Sequence, residues 1–280
     1  NERLKFAIDY ANDTFNGTGI LEYNNNLLKG NYVDGLRNGI SSHQYSDNSA
    51  FSGHYNNGSK NGGGVYVYPD GSEFKGNYNN GNRNGFGIYY FSNGIQYSGL
   101  FHDNHPHGDG TIIFNDSINF SGNFLNGEKH GKGKFNFKEQ KILKANFSNN
   151  ILNGYGQWEF EDGTQYYGNY INGKLEGNLK LINTEKSVFH LNYIKGKKEG
   201  TCTLEHFDGS VYSVRFKDDL ANGNIKIEFN DGIKLEGKYI SGNIDGLLSI
   251  TIPDKLSYNV EFKQNSQNGF GKLILTNGVT

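Results

Sequence analysis

The chain has 280 residues, enough for one or two domains, and only 34% are hydrophobic, yet 14% are aromatic and 40 are Gly. So many rings exclude a disordered chain, and a net charge of -2 gives no general affinity for nucleic acid. A single Cys, Cys202, excludes an internal disulfide framework and suits a reducing compartment.

In chain order, the first feature is Phe6-x-Ile8-x-Tyr10, an anchor residue between two rings. The pattern returns 22 residues later at Gly30, between Leu28 and Tyr32. It then recurs every 23 residues with no insertion, at Gly53, Gly76, Gly99, Gly122, Ala145, Gly168, Leu191, Val214, Gly237 and Val260, making twelve units. The residue two after each anchor is always Tyr or Phe; the residue two before is a ring or Leu. Spacing by two predicts one face of a β-strand. Thirteen and fifteen after the anchor, pairs such as Tyr66/Tyr68, Tyr89/Phe91, Phe135/Phe137 and Trp158/Phe160 predict a second strand with one apolar face.

Each unit therefore reads as a β-hairpin. Gly stands nine after every anchor, often behind Asn as in Asn84-Gly85, and such pairs favour the tight hairpin turn. A second turn near eighteen after the anchor joins one hairpin to the next, at Gly71, Gly94, Gly163, Gly209, Gly232 and Gly278. The expected fold is all-β: an elongated, curved and twisted single-layer antiparallel sheet of consecutive hairpins. Residues 1–280 form one array, its last unit incomplete, on the order of 110 Å long at about 4.8 Å per strand. A lone hairpin is marginal in water, so stacking neighbours must stabilise it.

The stretch FKGNYNNGNRNGFGIYYFSNGIQ resembles the MORN repeat (membrane occupation and recognition nexus), and the recurrence extends that resemblance over essentially the whole chain. The resemblance implies an elongated sheet with a grooved face, and roles in scaffolding, membrane tethering, or binding of partner helices or anionic lipid heads. Where the family often has Trp two after the anchor, this chain has only Tyr or Phe.

No stretch carries a phosphate-loop ending or a nucleophile elbow, so no cofactor is expected and the chain reads as a non-enzyme. His102, His105 and His107 share one loop, a weak metal signal without Cys. The first interaction candidate is an aromatic groove for a partner helix, formed by Phe51, Tyr55, Phe74, Tyr78, Tyr97, Phe101, Phe120 and Phe124. Its relief would come from Gly at the anchor and at eleven after it, in Gly64, Gly87, Gly110 and Gly133. Further along, that second position becomes Leu179, Cys202, Ile225 and Leu248, which predicts a narrowed or closed groove there. The competing reading is that the rings are simply core. The second candidate is an anionic-ligand patch of Lys129, Lys132, Lys134, Lys138, Lys141 and Lys144, in a stretch (126–200) whose net charge is +4 while 1–125 carries -4. Its other reading is a solvated strand face.

The leading function is a protein-interaction scaffold, one rod of a larger assembly, with end-to-end or edge pairing open to it. The alternative is a peripheral module for anionic phospholipid. No apolar run approaches the roughly 18 residues of a membrane span. NERLKFAIDY lacks the apolar centre of a signal peptide, and the absence of Met predicts a processed product or a fragment. The expected location is the cytoplasm, in association with cytoskeleton or membrane.

Overall fold

A computed structural model describes residues 5–11 and 14–275, with side chains from residue 14 onward. The side chains of Phe6, Ile8 and Tyr10, and the turn glycine Gly278, lie outside the described residues. Every regular element among the described residues is a strand. Strand Ala50–Asn56 pairs antiparallel with Ser59–Val67, which pairs with Glu73–Asn79, then Asn82–Tyr90, then Gln96–His102, each with its neighbour in the chain. The all-β hairpin reading holds. The chain divides into two compact units, residues 1–138 with 147–150, and residues 139–146 with 151–280.

The hairpin turn is not at the glycine nine after the anchor. It lies at four and five after it, where Asn57 (φ 47°) and Gly58 (φ 79°) both take left-handed backbone, as a type I′ turn requires. Gly62, nine after its anchor, sits inside strand Ser59–Val67 with φ +88°. There Tyr55 faces Lys60 but Gly53 faces Gly64, so the second strand carries a bulge of two extra residues, and Gly62 absorbs its backbone twist. An Asn-Gly pair suits either feature, and only the register tells them apart. The joining turns fall where expected: the Gly71 N–H donates to the Tyr68 carbonyl (3.0 Å), and Gly94 to Phe91 (3.0 Å).

Two hydrogen bonds repeat between hairpins. The second residue of each I′ turn donates its N–H to the carbonyl seven after the preceding anchor. In the first unit these bonds are Gly58 to Arg37 (2.9 Å), Gly81 to Lys60 (2.9 Å) and Asn104 to Arg83 (3.0 Å). In the second unit they are Gly173 to Leu152 (2.8 Å) and Gly196 to Leu175 (2.9 Å). Where the donor residue is Asn or Asp, its side chain adds a bond, as from the Arg83 N–H to Asn104 Oδ1 (2.8 Å) and from Lys198 N–H to Asp219 Oδ1 (2.7 Å). The other link is a buried serine: Ser72, Ser187 and Ser210 accept at Oγ from the backbone N–H of Ser92, Phe207 and Asn230, in the next joining turn. Neutral bonds of this kind contribute about 0.5–1.5 kcal/mol each.

The core of the first unit is a zigzag of rings on one face. Phe51 meets Tyr55 edge-on (5.3 Å, 90°) and also Tyr78 of the next hairpin (5.2 Å, 86°). Phe74 does the same with Tyr78 (5.5 Å) and Phe101 (5.0 Å), Tyr97 with Phe101 and Phe124 (5.1 Å each), and Phe120 with Phe124 and Phe147 (5.5 Å each). Edge-to-face pairs add about 0.5–1.5 kcal/mol each beyond area burial, so this run holds neighbouring hairpins together.

Candidate interaction faces

The eight rings expected to line a groove are closed off. Phe51, Tyr55, Phe74, Tyr78, Tyr97, Phe101, Phe120 and Phe124 are all between 0% and 6% exposed. The glycines explain why. A Cβ at Gly64 would lie 2.5 Å from Cζ of Phe51, and one at Gly87 would lie 2.5 Å from Cζ of Phe74. Each ring lies down over the Gly pair of its own hairpin and fills the gap that was to admit a partner. The core reading is correct for these rings, and the groove reading is not.

The second unit reverses the expectation in the other direction. Leu179, Cys202, Ile225 and Leu248 are buried in the layer that the rings occupy in the first unit. With that layer filled, the rings stand off the sheet: Tyr166, Tyr170, Phe189, Tyr193, Tyr212 and Phe216 are half-buried. The aliphatic substitutions open this face instead of closing it. Between Trp158 and Tyr193 they leave a hollow of about 460 Å³, floored by Leu175, Leu179, Leu181 and Leu191 and walled by Trp158, Phe160, Tyr166, Tyr170 and Tyr193. Lys141 and Lys198 complete its rim, and none of the eleven lining residues is acidic. The Lys141 ammonium lies over the rings of Trp158 (4.7 Å) and Phe160 (5.1 Å). The hollow therefore offers aromatic and aliphatic contact with a positive rim.

The six lysines of the proposed anionic patch do not gather on one face. In the first unit, Lys129 is half-buried above the Phe120 ring (5.8 Å), and burial lowers its pKa from the usual lysine value. Lys134 pairs opposite Ser121 on the reverse face; Lys132 shares that face and is exposed, and Lys138 lies beyond the end of its strand. In the second unit, Lys141 covers Trp158 while Lys144 pairs with Glu159 (3.3 Å). Among the described residues no cluster of three or more His, Cys, Asp or Glu could hold a metal, so His102, His105 and His107 form no such site.

A column of cations at seven after the anchor was missed by counting rings alone. Each lies on the ring eighteen residues later: Arg37 on Tyr55 (4.0 Å), Lys60 on Tyr78 (5.8 Å), Arg83 on Phe101 (5.5 Å) and Lys198 on Phe216 (5.4 Å). In each case it is the charged head that lies over the ring. Lys60 also sits 4.3 Å above Tyr66 and 4.7 Å above Phe51, and burial pulls its pKa down to about 8. Beside it, His43 stacks on Tyr45 (3.7 Å), its Nε2 against Asn26 Oδ1 and its Nδ1 against Arg37; burial and the neighbouring cations lower its pKa to about 4.

Hairpins that repeat one register, each paired with its neighbours in the chain, define a β-hairpin repeat protein. The chain carries six MORN repeats: the MORN repeat model matches residues 51–73, 74–96, 97–117, 120–139, 145–165 and 261–280. No curated protein matches it. Among solved structures, the TCP10 domain of Danio rerio CPAP in complex with a peptide of Danio rerio STIL is 14% identical, with a TM-score of 0.48 over 76% of this chain and 92% of that one. The SAS-4 (dCPAP) TCP domain of Drosophila melanogaster, in complex with a proline rich motif of Ana2 (dSTIL), is also 14% identical, with a TM-score of 0.35 over 56% and 85%.

Proposed function

We propose that this chain is a non-catalytic interaction scaffold that holds a protein partner against the hollow of its second unit. The observation that carries this reading is the contrast between the two aromatic faces. The first unit buries the rings that flank its anchors from Phe51 to Phe124 to 6% exposure or less, whereas the second leaves the equivalent Tyr166, Tyr170 and Tyr193 half-buried around a hollow of about 460 Å³. Half-buried aromatics around an apolar floor are the contacts that commonly dominate protein recognition, at about 2 kcal/mol or more for a central ring. The test is affinity capture with the intact chain and with a Trp158→Ser/Tyr193→Ser variant whose circular dichroism is unchanged. The reading requires that a partner captured by the intact chain, identified and then titrated as a purified protein, lose affinity for the variant. Unchanged affinity would refute it.

A further inference from the structure

The aromatic face of the first unit is lined with cations that have no anion. Arg37, Lys60, Arg83 and Lys129 all stand seven after an anchor, and all are half-buried. None of the four enters an ion pair among the described residues, whose pairs lie elsewhere, as at Lys75–Glu73. Arg83 is held by the Asn104 carbonyl (2.7 Å) and the Tyr68 hydroxyl (3.4 Å), and Arg37 meets the Tyr55 ring (4.0 Å) and the neutral-leaning His43 ring (3.5 Å), neither of them an anion. Desolvated cations without counter-charges are unfavourable for folding alone, and apolar side chains of similar size would cap the rings as well. The depressed pKa of Lys60 is a sign of that burden.

Their spacing points to the shape of the missing anion. Arg37, Lys60 and Arg83 sit on every second strand, so the sheet sets them about 9.6 Å apart; Pro106 takes the next such position, and Lys129 follows one repeat later. A polyproline II helix advances about 3.1 Å per residue with three residues per turn, so every third residue returns to the same side after about 9.3 Å. An α-helix with acids seven apart advances about 10.5 Å. Over the four repeats from Arg37 to Lys129 the extended ligand drifts by about 1 Å and the helix by nearly 4 Å. A flat β-strand matches the distance but turns alternate triplets away.

We propose that this ladder docks an acidic, extended segment of a partner protein with a carboxylate at every third residue. The proposal concerns the first unit and does not depend on the hollow.

The probes are a (Glu-Pro-Pro)5 peptide, a peptide of the same composition with its Glu residues bunched at one end, and vesicles of phosphatidylserine with phosphatidylcholine. Each is titrated into the full chain at low and at physiological salt. The regular peptide should bind at least tenfold tighter than the bunched one and weaken with salt. A Lys60→Met/Lys129→Met variant should lose at least tenfold in affinity for it while its melting temperature holds or rises. The control Lys132→Glu/Lys134→Glu, on the reverse face, should bind the regular peptide within twofold of the parent. Equal binding of the two peptides, full affinity in the Met variant, or binding to the vesicles with none to the peptide would each overturn the proposal. A fall in melting temperature of the Met variant with unchanged binding would assign the lysines to folding alone.

Discussion

Three glycines in a row, Gly62, Gly63 and Gly64, hold their places for three different reasons, and alanine at each should behave differently. Gly62 has φ +88°, where a Cβ is strained by about 1–2 kcal/mol. Gly63 is exposed, lacks that strained φ, and has nothing within 4 Å of the point a Cβ would occupy, so Gly63→Ala should stabilise by about 0.4–1 kcal/mol through the unfolded chain. Gly64 lacks the strained φ too, but its Cβ would meet the Phe51 ring at 2.5 Å and 2.6 Å. That ring cannot swing aside, since Tyr55 and Tyr78 hold it edge-on from both sides at 5.3 Å and 5.2 Å. Overpacking of this kind costs about 1–3 kcal/mol. The assay is urea denaturation of the full chain, with hydrogen exchange over residues 50–90 to locate the change. The expected order of stability is Gly63→Ala above the parent, the parent above Gly62→Ala, and Gly64→Ala at or near the bottom. In a Phe51→Leu background the cost of Gly64→Ala should shrink by at least half, and that of Gly62→Ala should not. If Gly64→Ala proves as stable as Gly63→Ala, the ring does not lie on its glycines and the packing argument fails.

Acid should destabilise the first unit through His43: its folded pKa of about 4 is below the unfolded value of 6.5, so stability present above pH 6.5 is lost as pH falls towards 4, and His43→Phe should flatten that limb in a pH-resolved melt. Lys60 acts at the other end: its folded pKa of about 8 lies below 10.5, the unfolded chain holds more protons above pH 8, and stability should rise between pH 8 and 10 in the parent but not in Lys60→Met. Ser72→Ala removes the acceptor of the Ser92 N–H and a donor to Asp70, and should cost about 1 kcal/mol, seen as faster hydrogen exchange at the joining turns. Tyr193→Ala, at the hollow, should destabilise less than Phe74→Ala, which empties a fully buried site worth about 3–5 kcal/mol.

The period and the strands were legible because side chains alternate by two along a strand and the rings hold that alternation through every unit. The turns were not, because Asn-Gly suits a type I′ turn at Asn57-Gly58 and a bulge at Gly62 alike, and only the pairing of Tyr55 with Lys60 separates them. The face to be left open was misread for a geometric reason. Small residues suggest space, yet at Gly64 the space is taken by the ring two residues before its anchor. Large residues suggest filling, yet Leu179 fills a lower layer and lifts Tyr166 and Tyr170 outward. The cation column had a signal available: seven after the anchor shares parity with eleven, thirteen and fifteen, which places Lys60 on the same face as Gly64, Tyr66 and Tyr68. A lysine at that parity reads as an exception to an apolar face until its ammonium is seen over the Phe51 ring.

The bond from each I′ turn to the carbonyl seven after the preceding anchor spans 21 residues of sequence, from Gly58 back to Arg37 as from Gly196 back to Leu175. It uses backbone atoms at both ends and asks only for left-handed φ at the donor. A tandem duplication or loss of 23 codons anywhere in the run keeps every such fastening in register, while a change of one or two codons breaks the fastenings on both sides of it. Length in a chain of this kind is therefore free to change in whole hairpins, and the anchor can vary where the turn beside it still closes, as Leu191, Val214 and Ala145 show at positions that are Gly in other repeats.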